Sequence, residues 1–166
     1  MLVSDGDPPV ARRYRHTRGF ADSVVWWLGV PPVPCPEAVA APPASFVPGP
    51  GESVALTVTF PPDAVLAEPG FDAAAAAGEN LALLPGLADC FEPDAPGMHT
   101  TPTVDYAVVL DGDLNLELDD GVVVALGPGD IVVQNATRHG WRNPGDRPVT
   151  IFVVLIGKAG EDGADA

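Results

Sequence analysis

Two stretches decide the fold of this chain. One is Gly97-Met98-His99-Thr100-Thr101-Pro102-Thr103-Val104-Asp105-Tyr106, running into Leu110-Asp111-Gly112. The other is Pro128-Gly129-Asp130-Ile131-Val132-Val133-Gln134-Asn135-Ala136-Thr137-Arg138-His139, followed by Trp141 and Asn143. Each reads as strand, turn and strand around one histidine. The chain has only three histidines, and two fall in matching contexts. Imidazole is the commonest side chain for metal ligation and for proton transfer near neutral pH.

Outward from these stretches the pattern is that of a β protein. Ser23–Leu28, Ser53–Phe60, Thr103–Leu110, Asp113–Leu118, Val122–Leu126, Ile131–Asn135 and Val149–Ile156 read as strands. Leu114, Leu116 and Leu118 alternate with Asn115 and Glu117, the mark of a half-buried strand. Asp111-Gly112 predicts a two-residue hairpin turn, and the strands after it a meander. Asp119-Asp120-Gly121, Pro128-Gly129-Asp130 and Asn143-Pro144-Gly145-Asp146 are further turns. Twenty Pro and 18 Gly leave little room for long helices. One short helical insert, about 71–96, is expected just before His99: Asp72 can cap the alanine run Ala73–Ala77, and Gly86–Phe91 can form a second turn. The predicted class is all-β, a sandwich or closed barrel. Residues 1–52 are read as N-terminal strands and a Pro-rich arm packed on the barrel, 53–157 as the barrel, and 158–166 as a disordered tail.

The bulk numbers exclude several classes. At 166 residues with 46% hydrophobic residues, the chain can bury a core without staples. A net charge of −15 repels a phosphate backbone, so nucleic acid is not an expected partner. No apolar run approaches the roughly 20 residues of a membrane helix, and the N-terminus with Arg12, Arg13, Arg15 and Arg18 is not a secretory signal. A cytoplasmic protein is therefore expected. Cys35 and Cys90 read as idle thiols in a reducing compartment.

Together the two stretches resemble the small single-domain bacterial cupins, of the conserved-barrel type. The resemblance rests on His99, Thr101, Asp105 and Gly112 in the first stretch and on Gly129, His139 and Asn143 in the second. It implies a double-stranded β-helix, or jelly-roll barrel, and a homodimer. The family's metal-binding members use three histidines and a glutamate. Here Thr101 and Asp105 stand at two of those positions. His99, Asp105 and His139 are what the resemblance leaves: a two-His-one-carboxylate set suited to Fe(II), Mn(II), Zn(II) or Ni(II). A metal-free site is the other reading, with His99 and Asp105 hydrogen-bonded across adjacent strands as an acid/base or binding pair. A third is polar residues with a purely structural role.

Alternation puts Thr103, Asp105, Ala107 and Val109 on one face of their strand and Val104, Tyr106, Val108 and Leu110 on the other. Thr101, Gln134, Trp141, Met98 and Phe91 are the expected lining of a substrate pocket. Arg138, the one cation beside the second stretch, reads either as an attractor of anions or as an exposed turn residue. Asn143 reads as a turn cap before Pro144. The expected function is an enzyme acting on a small carbonyl-bearing metabolite of secondary metabolism, by dehydration, isomerisation, cyclisation or decarboxylation. A non-catalytic small-molecule-binding cupin and a metal-dependent dioxygenase are the alternatives.

Overall fold

A computed structural model describes residues 10–29 and 43–158. The Pro-rich arm between them, Cys35 within it, and the expected tail beyond Lys158 lie outside the described residues. Among the described residues nine strands run in order: β1 (Val10–Arg13), β2 (Ala21–Leu28), β3 (Ser53–Phe60), β4 (Thr103–Asp111), β5 (Leu114–Glu117), β6 (Val123–Leu126), β7 (Ile131–Asn135), β8 (Gly140–Arg142) and β9 (Val149–Gly157). They form two antiparallel sheets. One has six strands in the order β1-β2-β3-β9-β4-β7, the other three in the order β6-β5-β8.

The strands form because apolar residues alternate along them. In β9, Val149, Ile151, Val153 and Leu155 are all buried. They meet Leu56 and Val54 of β3, Ala107 and Val109 of β4, and Leu114 and Leu116 of β5 in one cluster between the sheets. Burial of such side chains is the main favourable term in folding, about 1.5–3 kcal/mol each. The opposite faces of β4 and β7 are apolar but exposed, notably Tyr106, Leu110, Ile131 and Val133.

The strands after Asp111 do not form the predicted meander. β5 pairs with β6 as a true hairpin through Asp119–Gly121. β4 pairs with β7 and β9, so Asp111-Gly112 is not a hairpin turn. It is a corner where the chain leaves one sheet for the other. Gly112 still needs its freedom: its φ is +83°, and a Cβ there would lie 2.7 Å from Val149 Cγ2.

The helical insert is α1 (Ala73–Leu83), whose N-cap Asp72 accepts from the Ala75 amide at 3.0 Å. A 3₁₀ turn at Ala88–Cys90 follows. Arg12 of β1 donates to the Leu83 carbonyl at the end of α1 and to Asp22 of β2, while Tyr14 donates to the same carboxylate at 2.8 Å. This buried network pins the insert to the N-terminal strands. No described helix is long and apolar enough to cross a membrane.

Candidate active site

His99 and His139 lie 40 positions apart in sequence yet face each other. Each donates its amide to the other's carbonyl at 2.9 Å. This reciprocal bridge extends the small sheet past β8, and a second bridge joins His99 to Phe91. The imidazole centroids are 4.3 Å apart. Phe91 lies 4.9 Å from the His99 ring, and Trp141 lies 6.0 Å from that of His139.

Both rings are held the same way. Nδ1 of His99 donates to the Gly97 carbonyl at 3.1 Å, and Nδ1 of His139 to the Thr137 carbonyl at 3.0 Å. Each Nε2 is then the lone-pair nitrogen, free to accept a proton. Burial, then the neighbouring His139, pushes His99 down to about 4. Burial also lowers His139, against the pull of the Thr137 hydrogen bond. Both imidazoles are therefore kept neutral, with the acceptor form favoured.

Asp105 sits on the inner face of β4 and Tyr106, on the opposite face as alternation required, points outward. The expected hydrogen bond between His99 and Asp105 across adjacent strands does not form. β4 pairs Asp105 with Gln134 and Leu155, whereas His99 lies against His139 and Phe91 at the edge of the other sheet. Asp105 Oδ1 is buried and has no partner among the described residues. Burial pushes this carboxyl up to about 6, outweighing a hydrogen bond from Thr103. A buried carboxylate without a cation is an acid poised near neutrality.

The remaining expected residues divide. Phe91 and Trp141 flank the imidazoles. Thr101 is buried and hydrogen-bonds Thr103, Oγ1 to Oγ1, at 2.7 Å. Gln134 is buried beside Asp105, and its Nε2 donates to the Thr137 carbonyl at 3.3 Å. Met98 alternates away from His99 and is buried over Gly140, where a Cβ would come 2.7 Å from its Sδ. Asn143 caps its own turn, donating to the Phe60 and Arg147 carbonyls at 3.1 and 2.8 Å. His16 is exposed on the N-terminal side, outside the site.

Sequence reasoning missed three participants. Glu92 takes a bidentate pair from Arg138, at 2.6 and 2.7 Å. The carbonyls of Gly97 and Thr137 orient the imidazoles. Backbone acceptors leave no trace in residue identity; Glu92 left only its charge.

Catalytic sites for a divalent ion take three protein ligands with an open position. His99 and His139 supply two, and among the described residues no group of three His, Cys, Asp or Glu side chains converges. The residues described do not fit the three-donor set.

A model of the cupin domain matches residues 90–155. The phomopsin biosynthesis cluster protein C′ of Diaporthe leptostromiformis is 52% identical over 46 residues, 28% of this chain and 24% of that protein. The oryzines biosynthesis cluster protein J of Aspergillus oryzae is 47% identical over 49 residues, 30% of this chain and 27% of that protein. A cupin-domain-containing oxidoreductase of Aspergillus ruber is 43% identical over 69 residues, 37% of this chain and 34% of that protein. The chain thus matches about a quarter to a third of the length of these curated relatives. A Cupin 2 conserved barrel domain protein from Salinispora arenicola superimposes with a TM-score of 0.48 at 15% identity, over 94% of this chain and 88% of that one.

Proposed function

We propose, because residues 90–155 match a model of the cupin domain, that this protein is an enzyme of secondary metabolism that moves protons on a small carbonyl-bearing substrate. The single observation that carries this reading is the pair of neutral imidazoles, each with Nδ1 tied to a backbone carbonyl and Nε2 free. A base of this form removes a proton from carbon next to a carbonyl. Isomerisation, dehydration and cyclisation all begin with that step. His99 and His139 serve as the acceptors. Asp105, in its protonated form, is the group that returns a proton to substrate oxygen or to a departing hydroxyl. In a dehydration the C–H proton goes to an imidazole, the C–O bond breaks, and Asp105 supplies the proton with which the hydroxyl leaves as water. General acid–base catalysis of this kind contributes about 10²–10⁴-fold.

The relatives support the setting. Two are named for biosynthesis clusters and one for oxidoreductase activity.

The test uses the native host. The chromosomal gene is replaced by forms encoding His139→Gln or His99→Gln, and small metabolites are profiled beside a deletion strain. The expected result is that all three accumulate the same carbonyl-bearing compound. In D₂O the purified protein should then exchange that compound's α-protons, at least a hundredfold faster than either variant. An unchanged metabolite profile, or equal exchange by the variants, refutes the assignment.

A further inference from the structure

An open cavity of about 460 Å³ lies between β7 and the β5–β6 hairpin. That volume falls in the range of small-molecule sites. Its walls are apolar, built by Leu116, Leu118, Val122 and Val132, with the Gln134 amide among them. Thr137 also lines it, and the Thr137 carbonyl accepts from both Gln134 and His139. One backbone oxygen thus joins the cavity wall to His139, while the rings of His99 and His139 lie beside the cavity, outside its lining.

The only basic side chain on the described lining is Arg138. Its charge is already met. Nε and a terminal nitrogen bind both oxygens of Glu92 at 2.6 and 2.7 Å, and the other terminal nitrogen binds Asp119 at 3.1 Å. The next arginine along the chain, Arg142, is paired with Glu117 at 2.6 Å. Two carboxylates on one guanidinium leave the rim net negative, on a chain of net charge −15. An anion entering here would lose its water and gain no cation, which is a strongly unfavourable exchange. A neutral molecule loses little and buries apolar surface. Gln134 donates one N–H to Thr137, so a second N–H and its amide oxygen are left for a single polar group of a ligand.

We infer that this cavity receives the substrate and selects an uncharged, largely apolar molecule carrying one hydrogen-bonding oxygen over its carboxylate or phosphate counterpart. This rests on the proton-transfer reading above, and it removes decarboxylation of a free acid from the reactions expected.

The experiment is calorimetric titration of the intact protein with two probes of matched size, 4-phenyl-2-butanone and 3-phenylpropanoate. The ketone should bind at least tenfold more tightly than the acid. Leu118→Trp, which fills the cavity from the residue after β5, should abolish ketone binding while the circular dichroism spectrum is kept; Val132→Phe, from the opposite wall, serves as the second filling variant. Glu92→Gln with Asp119→Asn strips Arg138 of its partners and should narrow the preference severalfold by raising affinity for the acid. Equal binding of the two probes, no binding of the ketone, or ketone binding undiminished in both folded filling variants overturns the inference. Selection for the ketone alongside full α-proton exchange by His99→Gln and His139→Gln would refute the catalytic reading and leave this one standing. Selection for the acid alongside loss of exchange would do the reverse.

Discussion

Asp105→Asn should make this protein more stable at pH 7.5 and about 1–2 kcal/mol less stable at pH 4, where only the cost of the unpartnered amide remains. Asp105 Oδ1 is buried without a partner among the described residues, and burial raises the carboxyl from 3.8 to about 6. The folded state therefore holds the Asp105 proton more tightly than the unfolded chain does. Stability from this group is full below about pH 4 and is lost as pH rises through about 6. A displacement from 3.8 to about 6 corresponds to about 3 kcal/mol at roughly 1.36 kcal/mol per tenfold. The asparagine amide carries donors that also need partners, at about 1–2 kcal/mol. The net gain expected at pH 7.5 is about 1–2 kcal/mol, or about 2–8 °C in Tm for a chain of this size. The assay is urea denaturation of both proteins from pH 4 to pH 8. Only their difference is read, because 23 Asp and Glu residues give each curve a pH dependence of its own. A flat difference, or an asparagine variant that grows relatively less stable as pH rises, would refute the argument. Either outcome would mean that Asp105 is ionised and partnered in the folded protein, and so not an acid poised for proton delivery.

Asp22→Ala removes the carboxylate that takes hydrogen bonds from Arg12 and Tyr14 and is 1% exposed; it should cost about 3–5 kcal/mol by urea denaturation, against about 1 kcal/mol for Tyr14→Phe. Gly112→Ala combines a φ of +83° with a Cβ 2.7 Å from Val149 Cγ2, and should destabilise by about 2–4 kcal/mol in the same assay. Ala136→Gly relieves a non-glycine residue at φ 52°, so stability should hold or rise by about 1 kcal/mol. Turnover should nonetheless fall roughly tenfold, because that turn aims the Thr137 carbonyl at His139. Elemental analysis of protein purified without a histidine tag should find less than one equivalent of divalent ion; a stoichiometric ion lost in His139→Ala would show that a third donor is recruited on binding.

Much of the barrel was legible in the sequence because its strands alternate cleanly and its turns are marked by glycine and proline. Parity alone put Asp105 and Tyr106 on opposite faces of β4, and the pairing of that strand decides that Asp105 is the inner one. Asp72 before an alanine run was enough to locate the start of α1. Two strands escaped. β8 is three residues long, too short for alternation to register. β1 contains Arg12 and Arg13, which read as surface until Asp22 is seen to bury beside Arg12. The hairpin assigned to Asp111-Gly112 failed for another reason. A positive φ is demanded equally by a hairpin and by a corner between sheets, and which sheet the next strand joins is decided by pairing far along the chain.

The site divides along the same line. Residue types were readable, but the third donor of the expected set was not testable by spacing. Six positions separate His99 from Asp105, and the chain changes sheets between them. What brings the imidazoles into one state is short-range. Each ring bonds the carbonyl two residues before it, and each of those carbonyls lies at a backbone turn of positive φ, at Gly97 for His99 and beginning at Ala136 for His139. Glycine announces such a turn in sequence and adopts it freely. Alanine announces nothing, and sits there at a cost of about 1–2 kcal/mol. That strain lies in the turn that carries the Thr137 carbonyl, the acceptor of the His139 Nδ1 proton. The Thr137 carbonyl keeps the His139 proton on Nδ1 and leaves the lone pair on Nε2, the form that the proposed proton transfer requires.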